Sequence, residues 1–105
     1  MVGQKINVVL KILSRPRNRI ILQHLQDVSV TSPQDLARHI TENHPDSTAV
    51  DAEVIRIQHD HLPLLADHGL IAYDQDMGTV RDESGELTDH VLRSIDKLTV
   101  ANSID

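Results

Sequence analysis

Residues 55–81, IRIQHDHLPLLADHGLIAYDQDMGTVR, limit the fold more than any other part of this chain. The first half carries apolar residues at helical spacing, Gly69 stops that pattern, and residues 70–73 and 79–81 are short β-prone runs around Asp74-Gln75-Asp76-Met77-Gly78. The order is therefore helix, glycine stop, strand, tight turn, strand. Such an order leaves a helix with one packed and one free face beside a two-stranded ribbon. Both glycines stand where a positive φ is wanted, Gly69 just after the helix and Gly78 in the hairpin turn.

The helix of this unit is predicted over 49–68. On a helical wheel Val50, Val54, Ile57, His61, Leu62 and Leu65 share one arc, and Ala52, Arg56, His59, Asp60, Pro63 and Asp67 share the opposite one. Pro63 should kink it, because proline has no N–H for the His59 carbonyl. Upstream, Val2, Ile6, Val9, Leu10 and Leu13 fall on one narrow face of a helix over 2–13. Ser14 and Pro16 break and restart the chain into a helix over 16–28 with Ile20, Ile21, Leu22 and Leu25 on its apolar side. Val28-Ser29-Val30 can add a short strand. Ser32 is placed to cap a helix opening at Pro33, with Leu36, Ala37 and Ile40 facing inward, and His44-Pro45-Asp46-Ser47 reads as a turn. Leu87, Val91, Ile95 and Leu98, with Leu92 beside them, make a seam on a last helix over 86–101. No linker or repeat interrupts the chain, and 105 residues suit one domain. The expected fold is mainly α with a small β-wing: a winged helix-turn-helix over 14–82, with extra helices at 1–13 and 86–101.

Composition narrows the function. One Tyr, no Trp and no Phe leave no stacking platform for single-stranded nucleic acid, and the core must be aliphatic. The absence of Cys excludes disulfides and thiolate metal sites. The opening MVGQKINVVLKIL is too short and polar to span a bilayer and precedes no small-residue cleavage site, so a cytoplasmic location is expected. A net charge of -6 works against phosphate binding at low salt. Its make-up, Asp over Glu and Arg over Lys with few aromatics, resembles that of proteins from salt-loving archaea. At 1 M salt the Debye length is about 3 Å, so remote carboxylates would hardly repel DNA.

Two segments carry a family resemblance. Residues 13–22, LSRPRNRIIL, resemble the opening of ArsR-like winged helices, and 59–71, HDHLPLLADHGLI, resemble a haloarchaeal winged-helix family of unknown function. Together the likenesses span roughly 13–82. They imply a DNA-binding role for the helix at 49–68, and pairing of the terminal helices across a two-fold axis. ArsR-type metal sensors often hold metal through Cys on the preceding helix; PQDLARHI at 33–40 has none.

The expected function is sequence-specific binding of double-stranded DNA by a homodimeric transcriptional regulator. Arg56 and His59 would meet bases or phosphates, and Arg38, Arg15, Arg17 and Arg19 would hold the backbone. Arg81 would support the wing. The three Arg at 15–19 crowd a helix start that by its dipole prefers anions, which leaves them as phosphate ligands or as solvated surface. Val2, Ile6, Val9 and Leu13 would form the dimer interface with Leu87, Val91, Ile95 and Leu98. The alternative is a module that binds a protein partner and no DNA, which Asp74 and Asp76 at the wing tip favour. No nucleophile elbow, phosphate-binding glycine loop or HExxH is present, so neither an enzyme nor a cofactor is expected. His59 and His61 point about 200° apart on a helix and could share a metal only if Pro63 unwinds it there; His61 reads as a core histidine, and no metal site is predicted.

Overall fold

The computed structural model describes residues 2–44, 46 and 49–103, and the side chains of 6–44, 46 and 49–95. Helix α1 (Val2–Leu13) ends in a turn closed by Ser14 and Arg15, whose N–H groups reach the Lys11 and Ile12 carbonyls. Pro16 opens α2 (Pro16–Val28). Ser29 leaves α2 at φ 67, the one non-glycine residue at positive φ among those described, and its N–H bonds the Leu25 carbonyl. The reversal at Ser29 moves the short strand to β1 (Val30–Thr31), later than the Val28 start expected. Helix α3 (Pro33–Asn43) follows, capped as expected by Ser32, whose hydroxyl accepts from the Asp35 N–H at 3.1 Å. The expected turn at 44–47 includes Pro45 and Ser47, and the expected helix start includes Thr48; these three lie outside the described residues.

The long helix is built from α4 (Val50–Arg56), a π-helical segment (Ile57–His61) and α5 (Leu62–Asp67). Its widened middle reflects Pro63. A regular helix would drive the proline ring against the His59 carbonyl and leave that carbonyl without a donor. Instead the helix takes one extra residue into the turn, and the Leu62 N–H reaches back to the Ile57 carbonyl. At the other end Gly69 at φ 73 closes α5: its N–H bonds the Ala66 carbonyl, and the Leu70 N–H bonds that of Leu65. This pair of bonds, with Leu65 and Leu70 both buried, is the αL-glycine stop expected from the sequence.

Strands β2 (Ile71–Asp74) and β3 (Thr79–Asp82) form an antiparallel hairpin, each running one residue past its expected end. Gly78 takes φ 65 in the turn, and the Asp74 carboxylate accepts from the Asp76 and Met77 N–H groups. Asp74 is thus a turn former as well as an exposed charge. β1 pairs with β3, giving a three-stranded sheet in the order β1-β3-β2.

One aliphatic core joins every layer. It runs through Ile21, Leu22 and Leu25 of α2, Leu36, Ala37 and Ile40 of α3, Ile57, Leu62 and Leu65 of the long helix, and Ile71 and Val80 of the hairpin. The last helix, α6 (Glu86–Ser103), packs on α1. Here the structure departs from the expected dimer face. Val9, Leu13 and Val91 are buried in the chain's own core, and Leu87 and Ile95 pack against it. The buried part of the two seams thus adds aliphatic volume to a core that has no buried Phe, Trp or Tyr. Ile6 is half-buried, and the side chains of Val2 and Leu98 lie outside the described residues. Ile12 is buried where Leu10 was expected to be; Leu10 and Val8 are the exposed aliphatics of α1. Among the described residues no helix is long and apolar enough to cross a membrane.

Candidate nucleic-acid interface

The face of the long helix that is free for a ligand follows the predicted polar arc. Ala52, Arg56, His59, Asp60 and Asp67 are exposed and Pro63, placed on the same arc, is half-buried, whereas Ile57, His61, Leu62 and Leu65 are buried and Val50 and Val54 half-buried. Ile55, 58% exposed, shares the free surface. It lies outside the apolar arc of the sequence reading, which did not single it out.

What holds the helix is polar. Glu53 is fully buried and accepts from Arg17 of α2 through both carboxylate oxygens, Nη2 to Oε1 at 2.9 Å and Nε to Oε2 at 3.1 Å. Hydrogen bonding to Glu53 raises the Arg17 pKa above its ordinary value, against the opposing effect of burial. His44 and the Asp46 carbonyl lie at 3.5 Å from the same guanidinium. Arg17, expected on DNA phosphates, is therefore committed to an internal fork-on-carboxylate pair joining α2 to α4. The next residue, Asn18, is fully buried; its amide donates to the Ile12 carbonyl at 2.9 Å, and its oxygen lies 2.9 Å from Nδ1 of His61. Neither Glu53 nor Asn18 was picked out in the sequence. Asn18 sits on the apolar side of α2, between the arc positions of Leu22 and Leu25, where a polar residue signals a buried partner; Glu53 falls at the border of the two arcs, beside Asp60, and spacing gives no such signal for it.

The same junction opens to solvent as a cleft of about 410 Å³ lined by Arg15, Pro16, Arg17, Arg56, Asp60 and His61. It brings together two of the expected phosphate ligands, Arg15 and Arg56, both exposed. α2 starts here with no side-chain cap and no acidic residue in its first turn. Burial, and then the charges of Arg15 and Arg17, lower the His61 pKa from 6.5 to about 4, so the ring is neutral near neutral pH.

The other expected contacts are dispersed. Arg19 is half-buried, and its Nη1 donates to the Leu13 carbonyl at 2.8 Å, which ties it to the α1–α2 turn. Arg38 is exposed and paired with Asp35 one turn earlier on α3. It borders a separate cleft with His24 and His39, whose rings stack with centroids 4.3 Å apart. His59 is exposed on the π segment, and Arg81 is exposed on β3 opposite Val30 and Ala72. Among the described residues, no group of three or more His, Asp or Glu is placed to hold a metal ion.

Residues 10–81, from the end of α1 through the hairpin, match the family described as Domain of unknown function (DUF7344). No curated protein and no solved structure matches the chain.

Proposed function

The chain belongs to the family described as Domain of unknown function (DUF7344), and on that premise we propose that it is an ArsR-like winged-helix transcriptional regulator that binds double-stranded DNA. The observation that carries this reading is the free face of the long helix, with Ile55, Arg56 and His59 exposed on it, set after α3 and before a two-stranded wing. A helix presented in this way, with its other face fixed in the core, is the part such folds lay in a major groove. Arg15 and Arg56 are the cations open to phosphate at the helix, Arg38 reaches it once freed from Asp35, and Arg81 serves the wing. Arg17 and Arg19 act by positioning. A homodimer belongs to the reading, and the aliphatics available to it are the exposed Val8 and Leu10 of α1 rather than the buried seam.

The experiment is selection of bound duplexes from a random pool, from low salt to molar potassium. A shared sequence should emerge, and Arg56→Ala should weaken it by about 1–3 kcal/mol against other sequences if the contact to guanine is bidentate. The net charge of -6 favours a second reading, a winged helix whose same face binds a basic protein partner. Retention of no duplex above random at any salt replaces the first reading with the second.

A further inference from the structure

We propose that the cleft between the start of α2 and the π segment is an oxyanion site, in which Arg15, Arg56 and Nε2 of His61 hold a phosphate- or sulfate-type group and His61 takes up a proton with it. The observations are independent of one another. His61 is only 3% exposed, yet it borders the cleft. Its Nδ1 is held by Asn18, whose amide is oriented by its donor bond to the Ile12 carbonyl, so the Asn18 oxygen faces the ring and Nδ1 carries the hydrogen. Nε2 then bears the lone pair. Among the described residues it has no hydrogen-bond partner within the chain, and no fully buried side-chain nitrogen or oxygen lacks one, so Nε2 opens onto the cleft.

The charges around it are asymmetric. Arg15 at the N-cap of α2, Arg17 in its first turn and Arg56 of α4 line the cleft with His61 and act on its ring by charge, and Asp60 is the one carboxylate among the groups acting on it. Arg17 is matched by Glu53. Arg15 and Arg56 remain, opposed by Asp60, beside a helix start that has no capping side chain and no acidic first turn. A neutral His61 aims an acceptor into this positive cleft, which suits nothing anionic. An oxyanion reverses both conditions: it offsets the two guanidinium charges and gives a protonated Nε2 an acceptor. Binding the anion and binding the proton therefore promote each other. The π turn contributes geometrically, since Asp60 and His61 both lie within it.

The group has two sources, a DNA backbone phosphate or a free small anion, and only the DNA arm rests on the function proposed above. Imidazole NMR of the full chain, with the His61 resonance assigned by His61→Gln, reads the site directly. Sulfate is the first probe, because its own charge is constant where His61 titrates. It should raise the His61 pKa from about 4, and its affinity should grow as pH falls, by at most about tenfold per pH unit. Arg15→Ala and Arg56→Ala change exposed residues and should abolish the rise, while Asp60→Asn should strengthen sulfate binding. The selected duplex is the second probe. A duplex that also raises the His61 pKa places a backbone phosphate in the cleft; one that binds without moving His61 leaves the site to a free anion. If no duplex binds but sulfate still moves His61, the oxyanion site stands and the DNA reading falls. If sulfate leaves the His61 pKa unchanged, or moves it equally in the two Arg variants, the proposal is overturned.

Discussion

The two ends of α2 are both polar, and they are polar in different ways. At the N-terminal end Arg17 and Asn18 reach buried partners, Glu53 and His61, on the long helix. At the C-terminal end His24 stacks on His39 of α3, and Gln26 donates to Asp89 of α6 at 2.7 Å, with all four side chains half-buried. Groups withdrawn from water at the first end must be matched or they destabilise the fold, whereas those at the second can turn to solvent. The long helix is thus anchored at the end next to the candidate phosphate ligands, while at the other end the polar contacts to α3 and α6 can give way and the aliphatic core holds those helices.

The largest test of this contrast is Arg17→Ala. It leaves the Glu53 carboxylate buried without its main partner and should cost about 3–5 kcal/mol, read as the shift of a urea unfolding curve. A loss below 1 kcal/mol would remove the anchoring role and return Arg17 to the candidate phosphate ligands.

Acid should act next, through His61. Its pKa is 6.5 unfolded and about 4 folded, so between those values the unfolded chain binds more protons and stability falls as pH falls. At about 1.4 kcal/mol per pH unit of depression the total is on the order of 3 kcal/mol, complete near pH 4 and absent above the unfolded pKa. Denaturant melts across this range should show the slope, His61→Leu should flatten it, and sulfate should reduce it if the cleft takes an oxyanion.

Asn18→Ala comes third. It strips both the Ile12 carbonyl and the His61 ring of a partner and should cost about 2 kcal/mol in the same melts. The smallest effect is expected at the far end: His39→Ala should cost about 1 kcal/mol or less, because the stack borders an open cleft. Burial and the neighbouring His39 lower the His24 pKa, so protonation also weakens this contact in acid. A larger loss for His39→Ala than for Asn18→Ala would invert the comparison.

Much of the architecture was legible from local chemistry. Pro16, the Ser32 cap, Gly69 and Gly78 act within a few residues of themselves, and each element boundary they imply lies within two residues of its observed place. The polar and apolar arcs of the long helix were likewise set by spacing. The Pro63 irregularity was foreseen as a kink and realised as a π turn, because the same missing N–H can be accommodated by adding a residue to the turn. The seams of α1 and α6 were recognised as apolar, but a periodic pattern does not say whether a face meets a second copy or its own chain.

The sequence by itself determined the order of elements, the aliphatic character of the core and which face of the long helix is free, since these depend on spacing and backbone preference along the chain. Only the tertiary structure decided which charges are available. Arg15, Arg17 and Arg19 stand two residues apart and look alike in the sequence, yet one borders an open cleft, one is locked to Glu53 and one bonds the Leu13 carbonyl. The physical reason is that an ion pair is made across space: Glu53, 36 residues from Arg17, faces it only once α2 and α4 pack, and that packing separates an anchoring cation from one left to meet a ligand.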